Sequence, residues 1–498
     1  MKAYGYGYSP IFRRSGSLGL TIATAHYNRV IAAGGVVPAG ISGLSSILNS
    51  VIAAYSITDS TDFNTKVPVF ADAHYTGYKL GAGSGATLGQ AAQYVYAINS
   101  SADFSQATAA SQPLLLAHSG VNYLWCPGVD SNNCSTPSVS IDTTSGMSVE
   151  VQVSFTTNDD ASNSSGWICA NDNGGAVRSM FLGWSGSRTL ILYWANLSRS
   201  ATATAQIPAA YSGWIKVSLE TSGADMLVKF LTSSDGSTWT QLGATITNSG
   251  GANTFQTSAS PFSVSGNGTA NNIAGKIFRV IYRNASGTAR ADFNPNSYNA
   301  ATSQTQWTST TGEVWTINTG TATTGYKCVV VHRTLVQFDG VDDGMQATLS
   351  GSGRFTQYLL SKQHGSIATN EGLAGPWGTA AAWRGALYTS GSKYATYQGS
   401  GADGVFGSTI TKNIYYAIGV VNSSTGTDWI PNVNGTDVSN GSINIGTSSA
   451  FTTINLGSRQ GGTTFSNSTI NTYIMSSAAD NSTQRTAMYN VCKTMNNL

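Results

Sequence analysis

Polar and apolar residues alternate over long stretches of this chain. Val149-Glu150-Val151-Gln152-Val153-Ser154-Phe155 and Trp214-Ile215-Lys216-Val217-Ser218-Leu219-Glu220 each send every second side chain to one face, as half-buried strands do. Met226-Leu227-Val228-Lys229-Phe230-Leu231, followed by Ser234-Asp235-Gly236-Ser237 and Trp239, reads as a hairpin with Asp-Gly at its turn. From about residue 113 onward such short strands, separated by Gly, Ser and Asn, predict antiparallel β-sandwiches. The protein is therefore expected to be mainly β.

Only the first part of the chain has another period. Leu44, Ile47, Leu48, Val51, Ile52 and Tyr55 mark one face of a helix, with Ser42 as its N-cap and Asp59 beyond its end. Ile22 to Val30 predicts an earlier helix, broken by Gly34-Gly35 and Pro38, and Val67-Pro68-Val69-Phe70 predicts a strand. Residues 21–112 thus read as a small α+β region. Residues 1–20 read as an extended arm in which Tyr4, Tyr6 and Tyr8 alternate with glycine. The arm has no apolar period with which to fold alone, so Tyr4, Tyr6, Tyr8, Phe12, Arg13 and Arg14 are expected to order against a partner.

Landmarks recur along the β portion. Cys126-Pro127-Gly128-Val129-Asp130 is similar to Phe338-Asp339-Gly340-Val341-Asp342. The strand starting at Trp214 has a counterpart in Ile414 to Val421, and Gly275 to Tyr282 has one in Ile470 to Met475. The order and offsets match, which predicts two copies of one sandwich, over 113–328 and 329–498.

At these residues a family resemblance enters. Leu335-Val336-Gln337-Phe338-Asp339-Gly340-Val341-Asp342-Asp343 resembles the opening strand and turn of concanavalin A-like (laminin-G-like) lectin/glucanase sandwiches. Ile454 to Arg459, Ile470 to Met475 and a short terminal helix are similar to that family's end. Gly275 to Tyr282, Ala291 to Pro295 and Gly312 to Asn318 resemble bacteriophage structural proteins carrying such a sandwich, as do Gly77 to Gly81 and Gln106 to Pro113. The resemblance implies two jelly-roll sandwiches behind a virion-attachment region. It further implies a non-enzymatic head fibre, decoration protein or tail-associated adhesin on the virion surface, made in the host cytoplasm and released by lysis, with a glycan-binding receptor-recognition module or a secreted carbohydrate-active protein as the alternatives. Expected partners are other virion proteins, further copies of the chain and host surface glycans.

Composition narrows the chemistry. Of 498 residues only 10% are charged, against roughly 25% in an average soluble chain, and the net charge is +2. Neither a nucleic-acid partner nor membrane insertion is expected. The start of the chain lacks the apolar core of a secretory signal. The four glutamates, Glu150, Glu220, Glu313 and Glu371, are isolated in sequence, and the E-x-D-x-x-E motif of the family's glucanases is absent. No enzymatic activity is expected.

The remaining candidates are few. Asp339, Asp342 and Asp343 would suit calcium, although a turn bonding its own amides is favoured because the first copy keeps only Asp130. Trp377 and Trp383, in Gly/Ala-rich sequence, are candidates for stacking on sugars, whereas Trp184 and Trp194 are expected in the core. His26, His74, His118, His332 and His364 are scattered and read as structural. The five cysteines are expected to be free thiols, with a Cys126–Cys134 bond as the alternative.

Overall fold

The computed structural model describes residues 10–81, 90–141, 146–155, 165–172, 178–185, 188–194, 199–208, 210–250, 260–267, 272–322, 324–351, 354–364, 371–377, 384–398, 404–422, 430–438, 451–458 and 464–498. They form two antiparallel β-sandwiches and four helices. The front sheet of the first sandwich runs β15 (Thr240–Gln241), β14 (Asp225–Ser233), β13 (Ser212–Ser222), β8 (Gly146–Ser154), β18 (Ala274–Asn284), β6 (Tyr123–Pro127) and β22 (Val329–Val331). Beside it, β16 (Ile246–Asn248) pairs with β14 and β19 (Ala289–Phe293) with β18. The back sheet runs β12 (Arg199–Gln206), β11 (Thr189–Trp194), β10 (Arg178–Ser185), β9 (Ser165–Asp172), β17 (Ser260–Val264), β7 (Asn132–Val139), β21 (Val314–Thr319) and β20 (Gln306–Thr308).

The second sandwich repeats this order. Its front sheet runs β32 (Thr436–Asp437), β31 (Ile430–Val433), β30 (Tyr415–Asn422), β25 (Phe355–Gln363), β34 (Asn467–Ser476), β23 (Leu335–Asp339) and β5 (Leu114–Leu116), with β1 (Val69–Asp72) beside β34. Its back sheet runs β29 (Gly404–Phe406), β28 (Lys393–Gln398), β27 (Arg384–Ser390), β26 (Gly372–Trp377), β33 (Phe451–Leu456), β24 (Met345–Gly351), β4 (Phe104–Ser105), β3 (Gln90–Val95) and β2 (Tyr78–Leu80). The strands holding Trp214–Glu220 and Tyr415–Val421, β13 and β30, therefore occupy equivalent places between a long central strand and an edge hairpin. Each sandwich has its own apolar interior, one around Val151, Phe230 and Trp315, the other around Leu359, Phe406 and Tyr473.

The first 116 residues depart from expectation. The chain is helical from Pro10, α1 covering Pro10–Ala32, so the second half of the supposed extended arm is helix. α2 spans Gly40–Tyr55 and begins after Ala39, without the side-chain cap expected of Ser42. Its buried face is Leu44, Ile47, Leu48, Val51, Ile52 and Tyr55, the stripe read from the sequence, with Ser45 added. Asp59, beyond α2, caps α3 (Ser60–Lys66) by accepting from the Asp62 amide. Residues 69–116 are no separate region, because β1, β4 and β5 pair with β34, β24 and β23. Nor does the first sandwich end at 328, since β22 completes it by pairing with β6. Sheet edges expose unpaired N–H and C=O groups, and covering them with distant strands satisfies those groups. Short strands such as β4 and β5 carry no period that would reveal this.

α2 packs with α4 (Ser482–Met495) on the outer face of the second front sheet. Tyr358, Leu360, Tyr415, Ala417 and Ile474 meet Leu44, Leu48, Ile52, Met488 and Val491 there. α4 starts with a capping box in which Asn481 and Gln484 satisfy each other's backbone amides.

A buried ion pair joins these parts. Arg333, between β22 and β23, donates to Asp72 Oδ1 at 2.5 Å, to the Met495 carbonyl at 2.5 Å and to Asn496 Oδ1 at 2.6 Å. The other oxygen of Asp72 accepts from the Thr472 hydroxyl at 2.6 Å. Both charged side chains are almost wholly buried, 3% and 0% exposed. Arg333→Met leaves the Asp72 carboxylate buried without its cation and is expected to cost about 3–5 kcal/mol of stability. Adding Asp72→Asn should recover part of that loss. Denaturant unfolding followed by tryptophan fluorescence checks both, and a loss below about 1 kcal/mol would contradict the assignment.

Candidate functional site

Among the described residues, no helix covers the outer face of the first front sheet. Val149, Val151, Ile215, Val217, Leu219, Val228 and Phe230 point into the core, so strand alternation turns their neighbours outward. Across β14, β13, β8 and β18 the outward residues align as Lys229, Ser218, Ser148 and Arg283 in one row, and as Leu231, Lys216, Glu150 and Ile281 in the next. Lys229, Ser218 and Ser148 of the first row and Leu231 and Lys216 of the second floor a cleft of about 500 Å³, walled on one side by Trp239 and on the other by the Asn284–Gly287 hairpin.

Local chemistry explains why Trp239 stands there. Asp235 accepts from the Ser237 and Thr238 amides, both at 2.8 Å, and from the Ser233 hydroxyl at 2.8 Å. These bonds hold its carboxyl well below the usual carboxylate range, the Thr238 amide first among them. Gly236 has φ +76°, and a Cβ there would lie 2.8 Å from the Trp214 ring, so the turn demands glycine. Trp239 leaves this turn with its ring centroid 5.2 Å from Lys216 Nζ. Lys216 also lies 3.0 Å from Glu150, which pairs with Arg283 at 3.2 Å. Lys229 pairs with Glu220 at 2.7 Å. On the opposite rim, Asn284 accepts from the Ser286 hydroxyl and the Thr288 amide, fixing its hairpin.

The equivalent face of the second sandwich is closed. By register, Tyr358 and Gly419 stand where the first copy has Glu150 and Lys216, and Leu360 and Ala417 stand for Gln152 and Trp214. Tyr358 and Leu360 thus put apolar surface in place of Glu150 and Gln152 where α2 and α4 cover the sheet. The cleft therefore belongs to the first copy.

Of the residues singled out from sequence, none of the described ones lines this cleft. Trp377 ends β26 opposite Thr453; its side chain, and the whole of Trp383, lie outside the described residues. Trp184 and Trp194 are buried in the core. Tyr4, Tyr6 and Tyr8 lie outside the described residues, as do the side chains of Phe12, Arg13 and Arg14 on α1. Asp339, Asp342 and Asp343 do come together, in the turn after β23. Asp339 Oδ1 accepts from the Val341 amide at 2.8 Å, and Asp343 Oδ2 accepts from the Asp339 amide at 3.1 Å and the Tyr326 hydroxyl at 2.9 Å. Asp342 accepts from the Ser111 hydroxyl at 3.3 Å. Asp339 and Asp343 thus accept from amides of their own turn, and Asp342 accepts from Ser111 outside it. Burial, then the Asp339 charge, pushes the Asp343 carboxyl up to about 8. All five cysteines are free and buried, and Cys126 lies 4.0 Å from Cys328.

Trp239 and the lysines were within reach of the sequence. Alternation already placed Lys216, Ser218 and Glu220 on one face, and Trp239 just past the Asp-Gly turn. What sequence lacked was any sign that this face stays uncovered.

No family model matches the chain, and no curated protein matches it. Solved structures to which it is similar include the LG1-3 region of the laminin α2 chain, with 11% identity over 72% of this chain and 63% of that one at a TM-score of 0.27. Mouse laminin α1 domains LG4-5 show 12% identity over 74% of this chain and 96% of that one at 0.27. Trypanosoma rangeli sialidase shows 10% over 62% and 66% at 0.28. The chain spans under two thirds of the laminin α2 region and of this sialidase. Likenesses so remote assign neither family nor activity.

One histidine bears on pH. His364 contacts Thr469 Oγ1 at 2.7 Å and Asn413 Oδ1 at 3.0 Å, and Asn413 donates to Thr319 in the other sandwich at 2.9 Å. Burial, then the Lys362 charge, lowers His364 from 6.5 to about 3. The unfolded chain then binds a proton that the native state refuses, so stability present above pH 6.5 is lost as pH falls toward about 3. His364→Gln should lose less stability than wild type over that window. Thermal melts at stepped pH test this; parallel curves would contradict it.

Proposed function

We propose that the protein is a non-enzymatic glycan-binding protein that takes its ligand in the cleft on the first front sheet. The cleft itself carries the reading, an indole wall above a floor of Lys216, Ser218, Glu220 and Lys229. Sugars present apolar C–H faces and hydroxyl edges, which match an aromatic platform and a polar floor respectively. Binding without turnover is supported by the carboxylates. Glu150 is engaged by two cations and Glu220 by one, whereas glycoside hydrolysis needs an acid kept protonated beside a second carboxylate. Calcium enters only as an addition: Asp339, Asp342 and Asp343 offer oxygens within 4.8 Å of one another, and a melting temperature unmoved by calcium would remove it.

Glycan-array screening followed by titration calorimetry tests the site. Trp239→Ala, folded by circular dichroism, should weaken the best ligand by roughly ten-fold, equivalent to about 1.4 kcal/mol. Unchanged affinity would reject the cleft, and release of shorter sugars from a bound glycan would reject the non-enzymatic reading.

A virion setting rests on the sequence resemblance alone, and the structure offers an exposed apolar face for it to use. Leu20 and Ile31 of α1 are 50% and 47% exposed, and eleven residues apart they share a helix face. We propose that this face attaches the protein to other virion proteins. Leu20→Glu with Ile31→Glu should leave folding intact and abolish incorporation into particles. Retained incorporation would reject the face.

A further inference from the structure

The two sandwiches share a strand order, yet the chain reaches it by opposite routes. In the first, the central strands β6 to β18 come before the edge segment β19–β22. In the second, the central strands β23 to β34 come after the edge segment β1–β5. The two edge segments correspond part by part. β1 and β19 flank β34 and β18; β4 and β21 flank β24 and β7; β5 and β22 flank β23 and β6.

Local details agree. After β1, Asp72 Oδ1 accepts from the His74 amide at 2.9 Å; after β19, Asn294 Oδ1 accepts from the Asn296 amide at 3.1 Å. Phe104 of β4 and Trp315 of β21 are each fully buried in the core they complete. Leu114-Leu115-Leu116 and Val329-Val330-Val331 close the two segments. The strand that follows each one ends at a left-handed glycine, Gly128 with φ 73° and Gly340 with φ 77°.

We infer that the chain is two tandem repeats, 69–284 and 289–476, that exchange their leading strand segments, so that each sandwich is closed by the other repeat's edge. Leu115 and Val330 each enter the core of the opposite repeat. The other faces of these strands meet in one apolar layer of Leu114, Leu116, Tyr123, Trp125, Val329, Val331 and Leu335. Where the two connections cross, the His118 amide donates to Thr334 Oγ1 at 3.1 Å. An edge segment that fits the core of either repeat also fits that core in a second copy of this chain, so the exchange can close between two molecules as well as within one.

The test uses the full chain with Leu116→Cys and Leu335→Cys, positions opposite each other on β5 and β23. Oxidation of the native monomer should join the two introduced thiols within one chain. Tyr123→Cys with Val331→Cys, opposite each other on β6 and β22, should do the same. Failure of both pairs to close would overturn the exchange. After unfolding and refolding at rising protein concentration, a growing share of dimer is expected, and in the isolated dimer the bond should link two chains. Monomer alone at every concentration, or dimers whose bond stays within one chain, would overturn it. Co-expressing two differently tagged copies makes the same reading without refolding: tags that co-purify through the introduced bond support the exchange, and bonds confined to one chain refute it.

Discussion

The guanidinium of Arg333 ties together pieces of chain that are remote in sequence. It sits on the short link from β22 to β23 and reaches Asp72 beside β34, then the backbone and side chain that end α4. A buried charge is tolerated only where its donors are met by well-placed acceptors, so each of these pieces must arrive at a defined position. A second buried centre works beside it. Asp480 accepts from Tyr55 of α2 at 2.5 Å and from Tyr358 of β25 at 2.6 Å, which fixes the helices against the sheet they cover. Burial raises the Asp480 carboxyl above its ordinary value, and the hydroxyl donors pull it back. These two centres are why the N-terminal residues belong to the second sandwich.

Two copies of one architecture have thus been put to different uses. In the second, β25 is buried along its whole length because one face meets the core and the other meets helices. In the first, Ser148, Gln152 and Ser154 of the matching strand β8 stay half-buried, and Glu150 is buried between Lys216 and Arg283. The difference comes down to a few outward positions. A tyrosine over a glycine packs against a helix, whereas a glutamate between two cations makes the surface polar.

Local patterns in the sequence were reliable where the physics is local. The α2 stripe repeats within a few turns, and the structure buries those six residues. The recurrence of Trp214–Glu220 in Ile414–Val421 survived because both strands pair with long, alternating neighbours. What escaped the sequence was non-local. β4 is two residues and β5 three, too short for any period, and one partner of each lies more than two hundred residues away. The clustering of Asp339, Asp342 and Asp343 was legible because they stand within five residues of one another. Trp377 and Trp383 stand out in the sequence by their glycine-rich surroundings, whereas Lys216 and Glu220 stand out by strand alternation.

The connections at 117–122 and 332–334 also decide how the molecule bears load. Both ends of the described chain lie with the second sandwich, and the first hangs from it by two covalent strands in place of one. A pull on the cleft is shared between them in parallel. Each connection feeds a strand at both of its ends, so that force arrives along hydrogen-bonded edges and must shear several bonds at once instead of peeling them singly.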